Sequence, residues 1–322
     1  MVDPQALAAV VTTLTNARTI FIAAHIQPDG DCVGSQLALA HALHAVDKRV
    51  TLALDDKIPE NLNFLKGIKK IAAREPHNED VFVYVDGSDS KRYGKALNRE
   101  KSGARPIILI DHHITNEPFG DLNLVDTQAA STAEIIFDLV RALNVPITRH
   151  IAQALLTGIV TDTMGFRTTA TTPDTLAKAT ELLRDGATIP EIIDRVYNRR
   201  SYASLRVLGD AIEHSHLDGD VLWSAMDYKT LKALGVNGNG TSGIVTQLLS
   251  VADANIAFVL TEKQDGSIDL SLRSRADVDI SGVAKRLGGG GHKQAAGALL
   301  PPPFETAARR VLEAIQNEMH NE

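Results

Sequence analysis

Between positions 20 and 35 the chain reads I-F-I-A-A-H-I-Q-P-D-G-D-C-V-G-S. An apolar run stops at His25, and Asp29 and Asp31 follow at close spacing, with Pro28 and Gly30 among them. An imidazole nitrogen and two carboxylates are donors that hard or borderline divalent ions choose. Two more apolar runs end the same way, 80–85 at Asp86 and 106–110 at Asp111-His112-His113, and Asp162 lies between two threonines. Each residue has an ordinary explanation taken singly. An Asp before Gly is a common turn residue, Asp162 could cap a helix, and a lone histidine is often a surface group. Their joint placement at the ends of inferred strands points instead to a metal site. Two histidines and four aspartates suit a pair of Mn²⁺ ions. Such a pair lowers the pKa of a bridging water from 15.7 to about 7 and neutralises charge on a phosphoryl group. Hydrolysis of a phosphate ester is therefore the leading reaction class.

The elements that must hold these residues are legible in the apolar pattern. A strand over 20–24, a tight loop and a helix over 34–46 form the first unit, and strands over 50–54, 80–85 and 106–110 alternate with helical segments. That alternation predicts an α/β fold with a parallel sheet, whose ligands gather outside the carboxyl ends of the strands. Helices are expected over 129–143, opened by Ser131-Thr132 with Glu134 in the first turn, and over 150–158 and 174–185. A long helical pattern near 190–212 reads as a bridge to a second, smaller α/β domain with paired strands at 256–261 and 267–275. The expected division is 1–187 for the catalytic metal-binding domain, 188–216 for a linker helix and 217–322 for the substrate domain, with a cleft between the domains.

Composition bounds the partners. The chain has 322 residues, 44% apolar and 23% charged, with a net charge of −7, which argues against bulk binding of long or duplex nucleic acid. Aromatics are 4%, too few for an extended base-stacking platform, so a short anionic substrate is favoured. One cysteine, Cys32, excludes an internal disulfide framework. No leader pattern and no membrane-length apolar run is evident, and a soluble cytoplasmic protein is expected. At the other end of the chain, Gly288 to Gly291 precede His292 and Lys293. Glycines let backbone N–H groups approach a phosphate, and Ser271, Arg273, Ser274 and Arg275 lie on a neighbouring strand, Arg275 sharing the face of Arg273.

Taken together, H-x-x-P-D-x-D-x-x-G-S, V-D-x-S-D, D-H-H, T-D-T and the late G-G-G-H resemble the DHH/DHHA1 phosphoesterase superfamily, over nearly the whole chain and in the same order. At this size the chain is most similar to the oligoribonuclease (nanoRNase)/PAP phosphatase branch. The resemblance implies that His25 and Asp29 bind one Mn²⁺, that Asp31, His112 and Asp162 bind a second, and that Asp86 bridges both, with Mg²⁺ or Co²⁺ as alternatives. It implies that Asp111 orients His112 and that His113 faces the substrate phosphate. Arg273 and His292, then Ser271 and Gly290 or Gly291, would hold the substrate's terminal phosphate and nucleotide. Implied substrates are short RNA oligonucleotides and 3′-phosphoadenosine 5′-phosphate (pAp), with a homodimer left open. Gln27 stands where many members have Asn, and Gly87 where Thr is common. The rival readings are a cyclic di-AMP/pApA phosphodiesterase and a catalytically silent nucleotide-binding regulator.

Overall fold

The computed structural model describes residues 2–199, 201–236, 241, 243–275 and 278–319. The chain divides into two compact units, Met1–Arg199 and Arg200–Glu322.

In the first unit α1 (Pro4–Asn16) leads to β1 (Thr19–Ala24), α2 (Gly30–Ala45), β2 (Arg49–Ala53) and β3 (Val81–Val85). Then come α3 (Arg99–Ser102), β4 (Ile107–Asp111), β5 (Leu122–Val125), α4 (Thr132–Ala142), α5 (Arg149–Asp162), α6 (Pro173–Arg184) and α7 (Ile189–Ile193). The five strands form one parallel sheet in the order β2-β1-β3-β4-β5. Strand order reverses between β1 and β3, and such a switch point opens a crevice at the carboxyl ends of the two strands. His25 follows β1 and Asp86 follows β3, so the sequence runs read as strands deliver the two residues to that crevice.

β1, β3 and β4 carry almost no polar side chain because both sheet faces are covered, as parallel sheets require; every residue of β3 and β4 is buried. Helix α2 is buried over most of its length because it is wedged between the sheet and α4 and α5. Close approach needs missing side chains. A Cβ on Gly34 would lie 2.4 Å from the Ala154 carbonyl oxygen of α5.

The expected bridge over 188–216 is not one continuous helix. A π turn, Asp194–Asn198, follows α7 directly, and α8 (Tyr202–Glu213) starts afresh because Ser201 caps it, accepting from the Ser204 amide at 3.0 Å.

The second unit continues with β6 (His216–Asp218), β7 (Val221–Met226), α9 (Tyr228–Ala233), α10 (Ile244–Leu248), β8 (Ile256–Glu262) and β9 (Ile268–Ser274). It closes with α11 (Ser281–Arg286), β10 (Gly290–His292), β11 (Ala295–Leu300) and α12 (Phe304–Met319). Its mixed sheet runs β10-β11-β9-β8-β7-β6, with β7 and β8 parallel and the other pairs antiparallel. β9 alternates, with Ile268, Leu270, Leu272 and Ser274 buried and Asp269, Ser271 and Arg273 half-buried on the opposite face. Among the described residues no helix is long and apolar enough to cross a membrane.

Candidate active site

His25 is buried, and its Nδ1 lies 2.6 Å from the Ile26 carbonyl. That carbonyl and the Arg92 guanidinium occupy the Nδ1 side of the ring, so Nε2 is the nitrogen turned to the carboxylates. Nε2 points at Asp86 Oδ2 (3.5 Å) and Asp29 Oδ1 (3.9 Å). Burial holds the ring below the ordinary histidine range despite the Asp29 charge, and Arg92, 3.0 Å from Nδ1, acts in the same direction. Asp29 is the N-cap of α2, accepting from the amides of Asp31 and Cys32, each at 3.0 Å. The turn reading of this residue and the ligand reading are therefore compatible.

Asp31 is fully buried in the first turn of α2. Its carboxylate accepts from the amides of Thr132 (2.6 Å) and Ala133 (2.9 Å) and from the Ser35 hydroxyl (3.2 Å). Helix α4 is thus capped by Asp31. The expected Ser131 capping interaction does not form, and the Ser131 hydroxyl, buried, has no hydrogen-bond partner among the described residues. Thr132 reaches the other way as well, its hydroxyl donating to Asp86 Oδ1 at 2.8 Å.

Asp86 has φ 62°, in the left-handed region that Asp tolerates better than most residues, and its amide is tied to the Ile110 carbonyl at 2.9 Å. The next residue explains one departure from the family pattern. A Cβ on Gly87 would lie 2.5 Å from the Tyr93 hydroxyl oxygen, so the buried Tyr93 ring occupies the room a threonine would need.

From β4, His112 turns Nδ1 to the Ala129 carbonyl (3.2 Å) and Nε2 to Asp162 Oδ2 (3.1 Å), Asp86 Oδ1 (3.7 Å) and Asp31 Oδ2 (4.0 Å). Asp111 acts on His112 through its charge, which helps raise the imidazole pKa, and spends its hydrogen bonds on His113 and Asn116. Its Oδ1 receives His113 Nδ1 at 2.7 Å, and Asn116 donates to Oδ2. The physical reason is that adjacent residues leaving a strand point to opposite sides, so Asp111 meets His113, two positions on. Asp162 is not at a strand end. It is the last residue of α5.

Among the described residues, donor atoms gather in three overlapping groups, each within 4.8 Å of one another: His25-Asp29-Cys32-Asp86, Asp86-His112-His113 and Asp31-His112-Asp162. Burial, with neighbouring carboxylates, pushes Asp31 up to about 8 and Asp86 and Asp162 above the ordinary aspartate range. Burial works against a charged His112, but the Asp162 hydrogen bond and the surrounding carboxylates prevail and raise it to about 10. A cluster in which burial, and then crowding, makes Asp31, Asp86 and Asp162 resist ionisation fits a divalent cation, and the mixed oxygen and imidazole donors fit Mn²⁺, Mg²⁺ or Co²⁺. Thr132, Ser35, Asn116 and Arg92, which hold these groups, escaped the sequence reading; Thr132 was visible there only as a helix start.

In the second unit the register sorts the substrate-side candidates. Arg273 pairs with Ala295, which pairs with His292; Ser271 pairs with Gly297, which pairs with Gly290. Ser271, Arg273 and Gly290 therefore belong to two adjacent rows on one sheet face, with only Ala295 and Gly297 between. His292 is described by its backbone alone. Gly291 belongs to the other face, opposite Ala296, where a Cβ would lie 2.4 Å from the Ala295 carbonyl oxygen. The glycine run thus ends in a close-packed hairpin rather than a free loop. β9 ends at Ser274, and the Arg275 guanidinium is spent on the carbonyls of Ala254 (2.8 Å) and Val251 (2.9 Å). Arg273 donates to the Leu272 carbonyl at 2.9 Å, while its Nε is buried without a hydrogen-bond partner among the described residues. Burial lowers its pKa.

The family model of the DHH family, N-terminal domain, matches residues 19–159, and that of the DHHA1 domain matches 223–321. The bifunctional oligoribonuclease and PAP phosphatase NrnA of Thermus thermophilus is 34% identical, over 93% of this chain and 90% of that protein. The cyclic-di-AMP phosphodiesterase PdeA of Listeria monocytogenes is 25% identical over 94% of this chain but 48% of its own length. The crystal structure of an exopolyphosphatase-related protein from Bacteroides fragilis superposes with a TM-score of 0.92 at 25% identity, covering 98% of this chain and 97% of that one. With both domains matched in order and a relative of this identity along nine-tenths of each chain, the protein belongs to the DHH/DHHA1 phosphoesterase superfamily, in its oligoribonuclease and PAP phosphatase branch.

Proposed function

We propose that this enzyme is a phosphoric ester hydrolase that cleaves short oligoribonucleotides and pAp to mononucleotides, using two Mn²⁺ per active site. The observation that carries the reading is the convergence of His25, Asp29, Asp31, Asp86, His112 and Asp162 at the carboxyl ends of β1, β3 and β4 and of α5, in a chain of this relatedness. His25 and Asp29 would hold one ion, Asp31, His112 and Asp162 the other, and Asp86, which belongs to two of the donor groups, both. Bound metal would supply a hydroxide near neutral pH and screen the phosphoryl charge.

The chain's own residues do the rest. Ile26 and Ala129 carbonyls fix the Nδ1 sides of His25 and His112, so that each presents Nε2. The α4 amides and Thr132 hold the Asp31 and Asp86 carboxylates. Asp111 places the His113 proton on Nδ1 and fixes the ring, leaving Nε2 as the atom that can exchange a proton with the leaving oxygen. Ser271, Arg273, Gly290 and His292 would take the substrate's terminal phosphate, and the working compartment would be the cytoplasm.

The test is product release from pAp, a 5′-phosphorylated dinucleotide, a five-nucleotide RNA, a long single strand, cyclic di-AMP and pyrophosphate, with Mn²⁺, Mg²⁺ or chelator. Turnover of pAp and the short RNAs, abolished by chelator, is expected. Turnover confined to cyclic di-AMP and pApA would move the enzyme to the activity named for PdeA. Metal binding with no turnover at all would make the chain a nucleotide-binding regulator.

Arg273→Ala separates the substrate end from the chemistry. One lost charge-assisted hydrogen bond is worth about 1.5–3 kcal/mol, so KM for pAp should rise about ten- to hundredfold while kcat changes little. Initial-rate kinetics decide; an unchanged KM would remove Arg273 from the substrate site.

A further inference from the structure

The metal reading leaves one strained segment without a role. Asp162 ends α5, and the chain then turns through Met164 (φ 49°), Gly165 (φ 77°) and Phe166 (φ 65°). Three consecutive left-handed residues, two with side chains, cost free energy and persist only where the surroundings hold them. Here the Gly165 amide bonds the Val160 carbonyl at 2.7 Å, the Met164 amide bonds the Thr161 carbonyl at 3.1 Å, and the Phe166 amide bonds the Thr163 hydroxyl at 2.9 Å. Val160 and Thr161 are in the last turn of α5, where carbonyls lack helical partners.

The same two carbonyls receive a side chain from more than 30 positions further on. The Tyr197 hydroxyl donates to the Val160 carbonyl at 3.1 Å, with the Thr161 carbonyl at 3.5 Å, across 37 and 36 positions of sequence. Tyr197 lies in the π turn Asp194–Asn198, directly after α7. The extra residue of such a turn rotates the next part of the chain by about 100° from an α-helical continuation. The irregular turn is therefore what aims this hydroxyl at α5. Its ring packs on the core of the first unit. Burial pushes the hydroxyl up to about 12, so it remains a donor across the working range.

We propose that Tyr197 is a positioning residue of the metal centre: through the π turn it pins the end of α5 and so fixes where Asp162 presents its carboxylate. The inference rests on the metal reading of the site. It adds a residue that touches neither ion nor substrate but sets the strength of one of the two metal positions, the one that depends on Asp162.

The experiment uses the full chain, the variant Tyr197→Phe and Mn²⁺ alone, titrated by calorimetry without substrate. Removing one hydroxyl should weaken one Mn²⁺ step about three- to tenfold and leave the other unchanged, with the metal-free melting temperature within about 2 °C of the parent. Two further backgrounds separate positioning from general damage. On Asp162→Asn the Tyr197 change should have no further effect on binding. On His25→Ala it should keep its full effect. Unchanged Mn²⁺ binding in Tyr197→Phe would overturn the proposal, and so would a loss that persists in full on Asp162→Asn. If Asp162→Asn and His25→Ala themselves bind Mn²⁺ like the parent, the metal reading fails, and this inference with it.

Discussion

Asp86→Asn is expected to abolish metal-dependent turnover, by about 10³-fold or more, while leaving the fold intact. Charge stabilisation by a shared metal is worth several kcal/mol, and each 1.36 kcal/mol is a tenfold change in rate. Asn is also one of the few residues that accepts the left-handed backbone at position 86, so the Ile110 and Thr132 contacts have no reason to move. Stability should change in the opposite sense to activity. A carboxyl whose folded pKa lies above its unfolded value takes up a proton on folding. Such a group penalises the folded state increasingly as pH rises from the unfolded value, about 4, toward the folded one. For Asp31 that window closes near 8, and Asp86 is shifted in the same direction by burial and by Asp31 and Asp29. Without metal at pH 7–8, Asp86→Asn should therefore melt above the parent. With saturating Mn²⁺ the order should invert, because the parent alone gains the full binding energy. Melting curves with chelator and with Mn²⁺ check both halves, and an unchanged turnover would sink the shared-ligand role.

Gly158→Ala should be the most damaging small substitution. Its Cβ would lie 2.4 Å from Asp31 Oδ1 and 2.7 Å from the Ala133 Cβ. Asp31 cannot retreat without stretching its bonds to the α4 amides and Ser35. Overpacking of this kind costs about 1–3 kcal/mol, or several degrees of melting temperature for a unit of this size at about 2–4 °C per kcal/mol. Displacing a metal-orienting group costs about 10–100-fold in affinity or activity. Mn²⁺ titration and melting of this one variant should show both losses; a normal titration with a lowered melting temperature would mean that Asp31 does not serve the metal.

Much of the first unit was legible because its signals are local. Strand ends carrying Asp or His, and a turn of Pro, Gly and Asp, lie within a few residues of one another, and the parallel sheet placed them as the alternation implied. The contacts between distant segments were not legible. Asp31 meets Thr132 across 101 positions, and Gly158 is small for the sake of a carboxylate on another helix. Neither leaves a periodic trace. The sequence groups Asp162 with the strand-end residues, yet packing against α2 and α4 makes its segment helical. The glycine run suggested backbone open to a phosphate, whereas at Gly289 and Gly291 the facing strand leaves no room for a side chain.

The capping of α4 by Asp31 has a consequence for how this site tolerates change. Loss of that carboxylate removes a metal ligand and uncaps a helix in the same step. Variants at position 31 should therefore be depleted from the soluble protein pool instead of accumulating as inactive enzyme. A selection for expression alone would retain the residue without ever testing its chemistry.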